Sequence, residues 1–243
     1  MKTKTDNSEK TIKQEGFGKK IWNVITWPFV KIFGLFCLCL LKAPQLLLIA
    51  ILLILFKYSK SPHFSQHQAA KAEQICKLAG DYRYGSNGME QNEQKALKYY
   101  TKAAKKGNVE AIYQVGLYAK LGELCLQDLD AASYHFFLAA QSDHKPAFRE
   151  LETLAEDGVV SAQNRCGLCY EFGYSTPVAM ERAVRWYRQA AEQGNPHGQY
   201  NLGLCYYHGR GVEKNNSEAL KWCKLAAKQG HKEAKQMVKE IKK

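Results

Sequence analysis

The chain lacks the local signatures by which most enzymes are recognised. It has no nucleophile elbow, no phosphate-binding loop and no pair of acids at a spacing that recurs with purpose. The expectation is therefore a protein that is not an enzyme, with no catalytic residue and no cofactor. Cys166-Gly-Leu-Cys169 has CxxC spacing, but no second CxxC or paired histidine supplies the other half of a zinc site, so no metal is expected. No face collects basic side chains with interleaved aromatics, so the net charge of +12 does not read as a nucleic-acid interface. No small-x-small site closely follows the long apolar stretch, the nearest being Ala70-Lys71-Ala72, which argues against a cleaved signal peptide.

The positive charge is unevenly spread. Residues 1–68 carry ten lysines against three acids, whereas the remainder carries 25 basic and 20 acidic residues. The first part is basic because lysines flank apolar sequence; the second is the mixed surface of exposed helices. Residues 1–20 are polar, lysine-rich and expected to be disordered. Residues 21–57 are expected to meet a lipid bilayer. Ile32 to Phe56, taken as one helix, reaches roughly 37 Å, ample for a bilayer core of about 30 Å. Lys42 costs about 3 kcal/mol on insertion scales, and the many Leu, Ile and Phe residues around it return a few tenths each. Trp22, Trp27 and Phe29 read as an interfacial approach. Two topologies stay open. With a single pass, the excess of Lys10, Lys13, Lys19 and Lys20 over Lys57 and Lys60 puts the N-terminus in the cytoplasm and residues 72–243 on the exoplasmic or periplasmic side. With a re-entrant hairpin turning at Lys42-Ala43-Pro44-Gln45, residues 72–243 return to the cytoplasm. Cys37 and Cys39 read as small apolar filler, with palmitoylation as the alternative. Residues 58–71 read as a polar linker.

From residue 72 onward the chain repeats itself. Gly198 to Gly230 reads as helix, glycine turn, helix, and 36 residues earlier Ala162 to Gly194 matches it: Gly167 to Gly203, Tyr170 to Tyr206, Gly173 to Gly209, Ala183 to Ala219, Trp186 to Trp222. Leu78, Tyr82, Gly85, Ala96, Tyr99, Ala103-Ala104 and Gly107 begin another copy; Ala111, Val115-Gly116, Gly122, Ala132 and Ala139-Ala140 a weaker one. A fixed period in this range is the mark of a solenoid, because one hairpin cannot bury its own apolar face. Between Ala140 and Ala162 the period breaks, with room for a single helix before the next full copy. Asn92 and Asp128 read as N-caps, and Gly107 as a helix stop. Lys232 to Lys242 reads as a lysine-rich terminal cap. The fold class is all-α: an α/α solenoid (superhelix) of helix-turn-helix repeats over 72–243, preceded by an N-terminal membrane segment.

The pattern A-x-x-x-L-G-x-x-Y-x-x-G followed by A-x-x-W-Y-x-x-A-A-x-x-G resembles the Sel-one-like repeat, a relative of the tetratricopeptide repeat, over about residues 72–231. The resemblance implies a superhelical scaffold that binds protein and does no catalysis. It also implies that the first helix of each repeat lines the concave face. Tyr113, Tyr200 and Tyr207 lie on such helices and are not obviously claimed by repeat packing; Gln114, Asn164, Arg165 and Asn201 stand near them at equivalent offsets. These seven are the candidate partner-binding residues. Cys205 and Cys223 lie on the two helices of one hairpin. Some exported relatives staple hairpins by disulfides, with cysteines at other positions, so export of the repeats would allow a disulfide here. His197, His208 and His231 read as solvated turn residues. The expectation is a membrane-anchored adaptor for a protein partner; the alternative is a regulatory or assembly subunit of a membrane complex whose membrane segment makes the contacts.

Overall fold

The computed structural model describes residues 62–242 apart from Cys125. The proposed disordered N-terminus 1–20 and membrane segment 21–57, with Cys37 and Cys39, lie outside the described residues. Among those described, no helix is long and apolar enough to cross a membrane.

Among the described residues there are ten α-helices and no strand. They are α1 (Pro62–Tyr84), α2 (Glu93–Ala104), α3 (Val109–Leu121), α4 (Leu129–Ala140), α5 (Lys145–Glu156), α6 (Val160–Phe172), α7 (Met180–Glu192), α8 (Pro196–His208), α9 (Asn216–Lys228) and α10 (Lys232–Ile241). The stretch read as a linker is helical from Pro62. Proline suits the first turn of a helix, and the following SQHQAAKAEQ contains neither glycine nor proline to stop one. From Ser65 its side chains are mostly exposed until Ala72, so this part of α1 rests on local preference more than on packing.

Local chemistry fixes the helix boundaries. The side chains of Asn92 and Asp128 accept from the amides of Lys95 and Ala131, as their residue types suggest, and Asn108, Asn195 and Asn215 cap α3, α8 and α9. Each such cap is worth about 1 kcal/mol. Gly211, in the α8–α9 turn, has φ +65°, and a Cβ there would come within 2.5 Å of the Met180 carbonyl at the start of α7. Only glycine satisfies both the backbone angle and the approach to the preceding repeat.

Consecutive helices pack as antiparallel neighbours from α2 to α10, and α4 additionally touches α6. The helix predicted in the break of the period is α5. The repeats on either side of it, α3–α4 and α6–α7, therefore stay in direct contact through α4 and α6. Helices approach closely where the first helix of a repeat carries glycine. A Cβ on Gly116 would lie 2.7 Å from the Phe136 ring, one on Gly203 2.6 Å from Cys223 Sγ, and one on Gly167 closer still to the Tyr187 ring. These are the same two positions in three repeats, and the second varies with the space available. The core runs from Ala132 to Cys205 around Phe136, Leu151, Leu154, Tyr187 and Leu202, all at most 1% exposed. Burying one such side chain as large as Phe136 contributes roughly 1.5–3 kcal/mol. A smaller cluster around Ala79, Ala96, Tyr100 and Tyr118 joins α1, α2 and α3.

Candidate functional site

The candidate binding residues sit on α3, α6 and α8, the first helices of three repeats, and the structure ties most of them to a neighbour. Asn201 Nδ2 donates to Asn164 Oδ1 at 2.9 Å, joining α8 to α6. Arg83 donates to Gln114 Oε1, and Gln114 Nε2 donates to Glu110 at 2.6 Å. Arg165 donates to Ser133 Oγ at 2.5 Å, and its guanidinium lies 5.8 Å from the centre of the exposed Tyr134 ring. Tyr207 keeps a partly open ring, with His208 beside it and Lys214 Nζ 5.8 Å from its centroid.

Tyr113 and Tyr200 are claimed by packing after all, and in the same way. Tyr113 lies 4.7 Å from the His144 ring, and Tyr200 stacks on His231 at 4.6 Å. Each histidine is an N-cap: His144 Nδ1 accepts from the Ala147 amide at 3.1 Å, and His231 Nδ1 from the Ala234 amide at 3.3 Å. The helices so capped are α5 and α10, the inserted helix and the terminal one. His231 is thus not a solvated turn residue; its side chain is 8% exposed. Desolvation, and then the neighbouring His197 ring 3.2 Å from Nε2, hold it below the ordinary histidine range. Desolvation also pushes the Tyr113 and Tyr200 hydroxyls up.

The cysteines are packing residues by position. Cys166 and Cys169 are fully buried between α6 and its neighbours; desolvation pushes both thiols up, Cys169 to about 12. Cys205 and Cys223 are buried, each with a free thiol. Cys205 lies in the core beside Tyr187 and Glu171, while Cys223 faces Gly203.

Three arrangements went unforeseen, the first of them recurrent. Gln163 and Gln199, at equivalent positions, each donate to a carbonyl of the preceding helix (Ala155 and Ala191) and accept from a glutamine at the end of their own repeat (Gln193 and Gln229). Glu171, 9% exposed, accepts from the Tyr187 hydroxyl at 2.6 Å and from Arg210 of the next repeat at 2.7 Å. On α7, Arg182, Arg185, Trp186 and Gln189 line a cleft with Glu152 of α5 and Tyr170 of α6.

Antiparallel helix pairs in register, sealed by small residues and joined by side-chain bonds from one unit to the next, define a helical-repeat scaffold. A Sel1 repeat profile matches residues 75–108, 109–144, 160–195 and 196–231, more than half of the chain, and leaves out the inserted helix. The chain belongs to the Sel1 repeat family, a helical-repeat fold that generally mediates protein–protein interaction. It is similar to a Sel1 repeat protein from Oxalobacter formigenes, at 25% identity and a TM-score of 0.37, over 77% of this chain and 81% of that one. It is also similar to c5321, a protective antigen of uropathogenic Escherichia coli strains displaying an SLR fold. There the identity is 29% and the TM-score 0.34, over 69% of this chain and 33% of that one. Cysteine-rich protein B of Helicobacter pylori is 17% identical with a TM-score of 0.23, over 74% of this chain and 98% of that one. No curated protein matches the chain.

Proposed function

We propose that this protein is a membrane-anchored adaptor that holds a partner protein on its repeats by equilibrium binding, with no bond made or broken. The observation that carries the reading is the row of side chains along α3, α6 and α8, linked across repeats by the Asn164–Asn201 and Arg83–Gln114 bonds. Such bonds fix polar and aromatic groups before a partner arrives, which lowers the ordering cost of binding. Residues 21–57 supply the anchor by their apolar length. Confinement to a bilayer raises the effective concentration of membrane partners and compensates for a weak surface. The single-pass topology, with a cytoplasmic N-terminus, places the repeats on the exoplasmic or periplasmic side; a hairpin returns them to the cytoplasm. A reporter enzyme active only after export, fused behind residue 243, separates the two topologies.

The test of the adaptor reading is photo-crosslinking in native membranes from a photoreactive residue placed at Gln114 or at Tyr207. The expected result is a discrete protein adduct from both positions, weakened when Asn201 is changed to Ala. Absence of any protein adduct at both positions, with the protein folded and membrane-bound, overturns it.

A further inference from the structure

Repeats three and four carry opposite charges where Arg182 of one stands in the place of Glu218 in the other, and the difference leaves a cleft lined by donors. In repeat four, Glu218 of α9 lies 3.3 Å from Lys221 Nζ and accepts from the Trp222 indole N–H at 3.1 Å. The equivalent residues 36 positions earlier are Arg182, Arg185 and Trp186 of α7. Arginine stands where the glutamate was. Neither Arg182 nor Arg185 has a carboxylate partner among the described residues, and the Trp186 indole has no acceptor among them. Gln189 takes the place of Leu225 and completes the stripe: positions i, i+3, i+4 and i+7 fall on one face of a helix. The stripe is exposed at Arg182, Arg185 and Gln189 and half-buried at Trp186. With Glu152 of the inserted α5 and Tyr170 of α6 it borders an open cleft of about 250 Å³.

The floor of the cleft is already ordered. Tyr170 donates its hydroxyl to Glu152 Oε1 at 2.5 Å, which takes up one oxygen of that carboxylate, and the Arg182 guanidinium lies over the Tyr170 ring at 5.6 Å. A guanidinium stacked on an aromatic face presents its N–H fork sideways and loses less freedom on binding. The Arg182 and Arg185 guanidinium groups, an indole N–H and a carboxamide form a set dominated by hydrogen-bond donors.

We infer that the α5–α7 cleft is a second binding site, and that it takes an acidic segment of a partner protein, with aspartate or glutamate carboxylates on Arg182 and Arg185 and the backbone against Trp186 and Gln189. A peptide fits better than an anionic membrane surface. Glu152 lines the cleft and Glu181 adjoins it on α7, so the positive charge is flanked by acids instead of forming a broad basic face. The donors of this site are all on α7 and share none of the residues of the row on α3, α6 and α8, so it stands or falls separately from the crosslinking result at Gln114 and Tyr207.

The test uses the full-length protein in detergent micelles and a fluorescent peptide carrying four consecutive glutamates, followed by anisotropy. Binding of the glutamate peptide is expected, with at least tenfold weaker binding of its glutamine counterpart. R182E/R185E is expected to weaken the glutamate peptide at least tenfold, while K221E at the equivalent position in repeat four changes it less than twofold. Arg182 and Arg185 are exposed, so the variant should unfold at the wild-type temperature, a point that circular dichroism checks. The inference is overturned if the peptide does not bind, if R182E/R185E and K221E act alike, or if phosphatidylserine vesicles displace the peptide and bind through the same two arginines.

Discussion

Gly203→Ala is a small change with a calculable consequence. The new methyl would sit 2.6 Å from Cys223 Sγ, where an ordinary non-bonded contact needs about 3.5–4.0 Å. Cys223 is fully buried, and the same methyl would lie 3.3 Å from the Ala219 carbonyl and 3.4 Å from the Cys223 amide, so α8 and α9 must part by about 1 Å at this level. Overpacking of this kind costs about 1–3 kcal/mol, while alanine in place of a helical glycine returns about 0.5–1 kcal/mol. The net expectation is a loss of about 1–2 kcal/mol, or about 2–8 °C in thermal midpoint for a chain of this size. Cys223→Ala alone costs about 1 kcal/mol by emptying the sulfur's place. In the double variant the methyl moves into that space, so the two losses should fall short of their sum by about 1 kcal/mol or more. Thermal unfolding of the four proteins by circular dichroism gives the cycle. Additivity within about 0.5 kcal/mol, or a Gly203→Ala variant more stable than wild type, refutes the close-approach reasoning.

Buried groups give two further expected outcomes. Neutral His231 accepts the Ala234 amide, and protonation would put a proton on Nδ1 and a cation at a helix N-terminus. Burial and His197 lower its folded-state value; Glu233, 3.3 Å from Nδ1, opposes this without reversing it. Because the unfolded histidine titrates near ~6.5, the cap's contribution is complete above that pH and is lost as pH falls below it. His231→Asn, which caps without titrating, should flatten the stability difference between pH 7.5 and pH 5; an unchanged slope counts against the cap. Cys166, Cys169, Cys205 and Cys223 should resist a thiol reagent in the native protein and react on unfolding, since burial both shields them and suppresses the thiolate. Rapid native labelling of Cys169 would contradict its buried packing.

Much of the fold is legible because its punctuation is steric. Gly167 and Gly203 have to be glycine to admit Tyr187 and Cys223, so the repeat survives in the sequence as spacing, and the break at α5 shows as lost spacing. Asn92 and Asp128 announce helix starts because short polar side chains cap by local geometry alone. His144 and His231 do the same work but pack on a tyrosine ring from the first helix of their own repeat, distant in the chain, so sequence offers no sign of it. For the same reason Tyr113 and Tyr200, which look unclaimed in sequence, are half taken up by packing. Arg182 and Arg185 stand out only once Glu218 is seen to neutralise the equivalent face of repeat four and Glu152 of α5 is seen to border theirs. The family's period also masks the start of α1, whose first residues are helical without belonging to a repeat.

On the proposed reading the repeats carry the binding and the apolar leader only concentrates it. Replacing residues 1–61 with an unrelated single-pass anchor of the same orientation, and repeating the crosslinking from Tyr207, tests that claim most directly. The same partner adduct at a similar yield is expected. Loss of the adduct while residues 62–242 remain folded would assign the partner contacts to the membrane segment and contradict that reading.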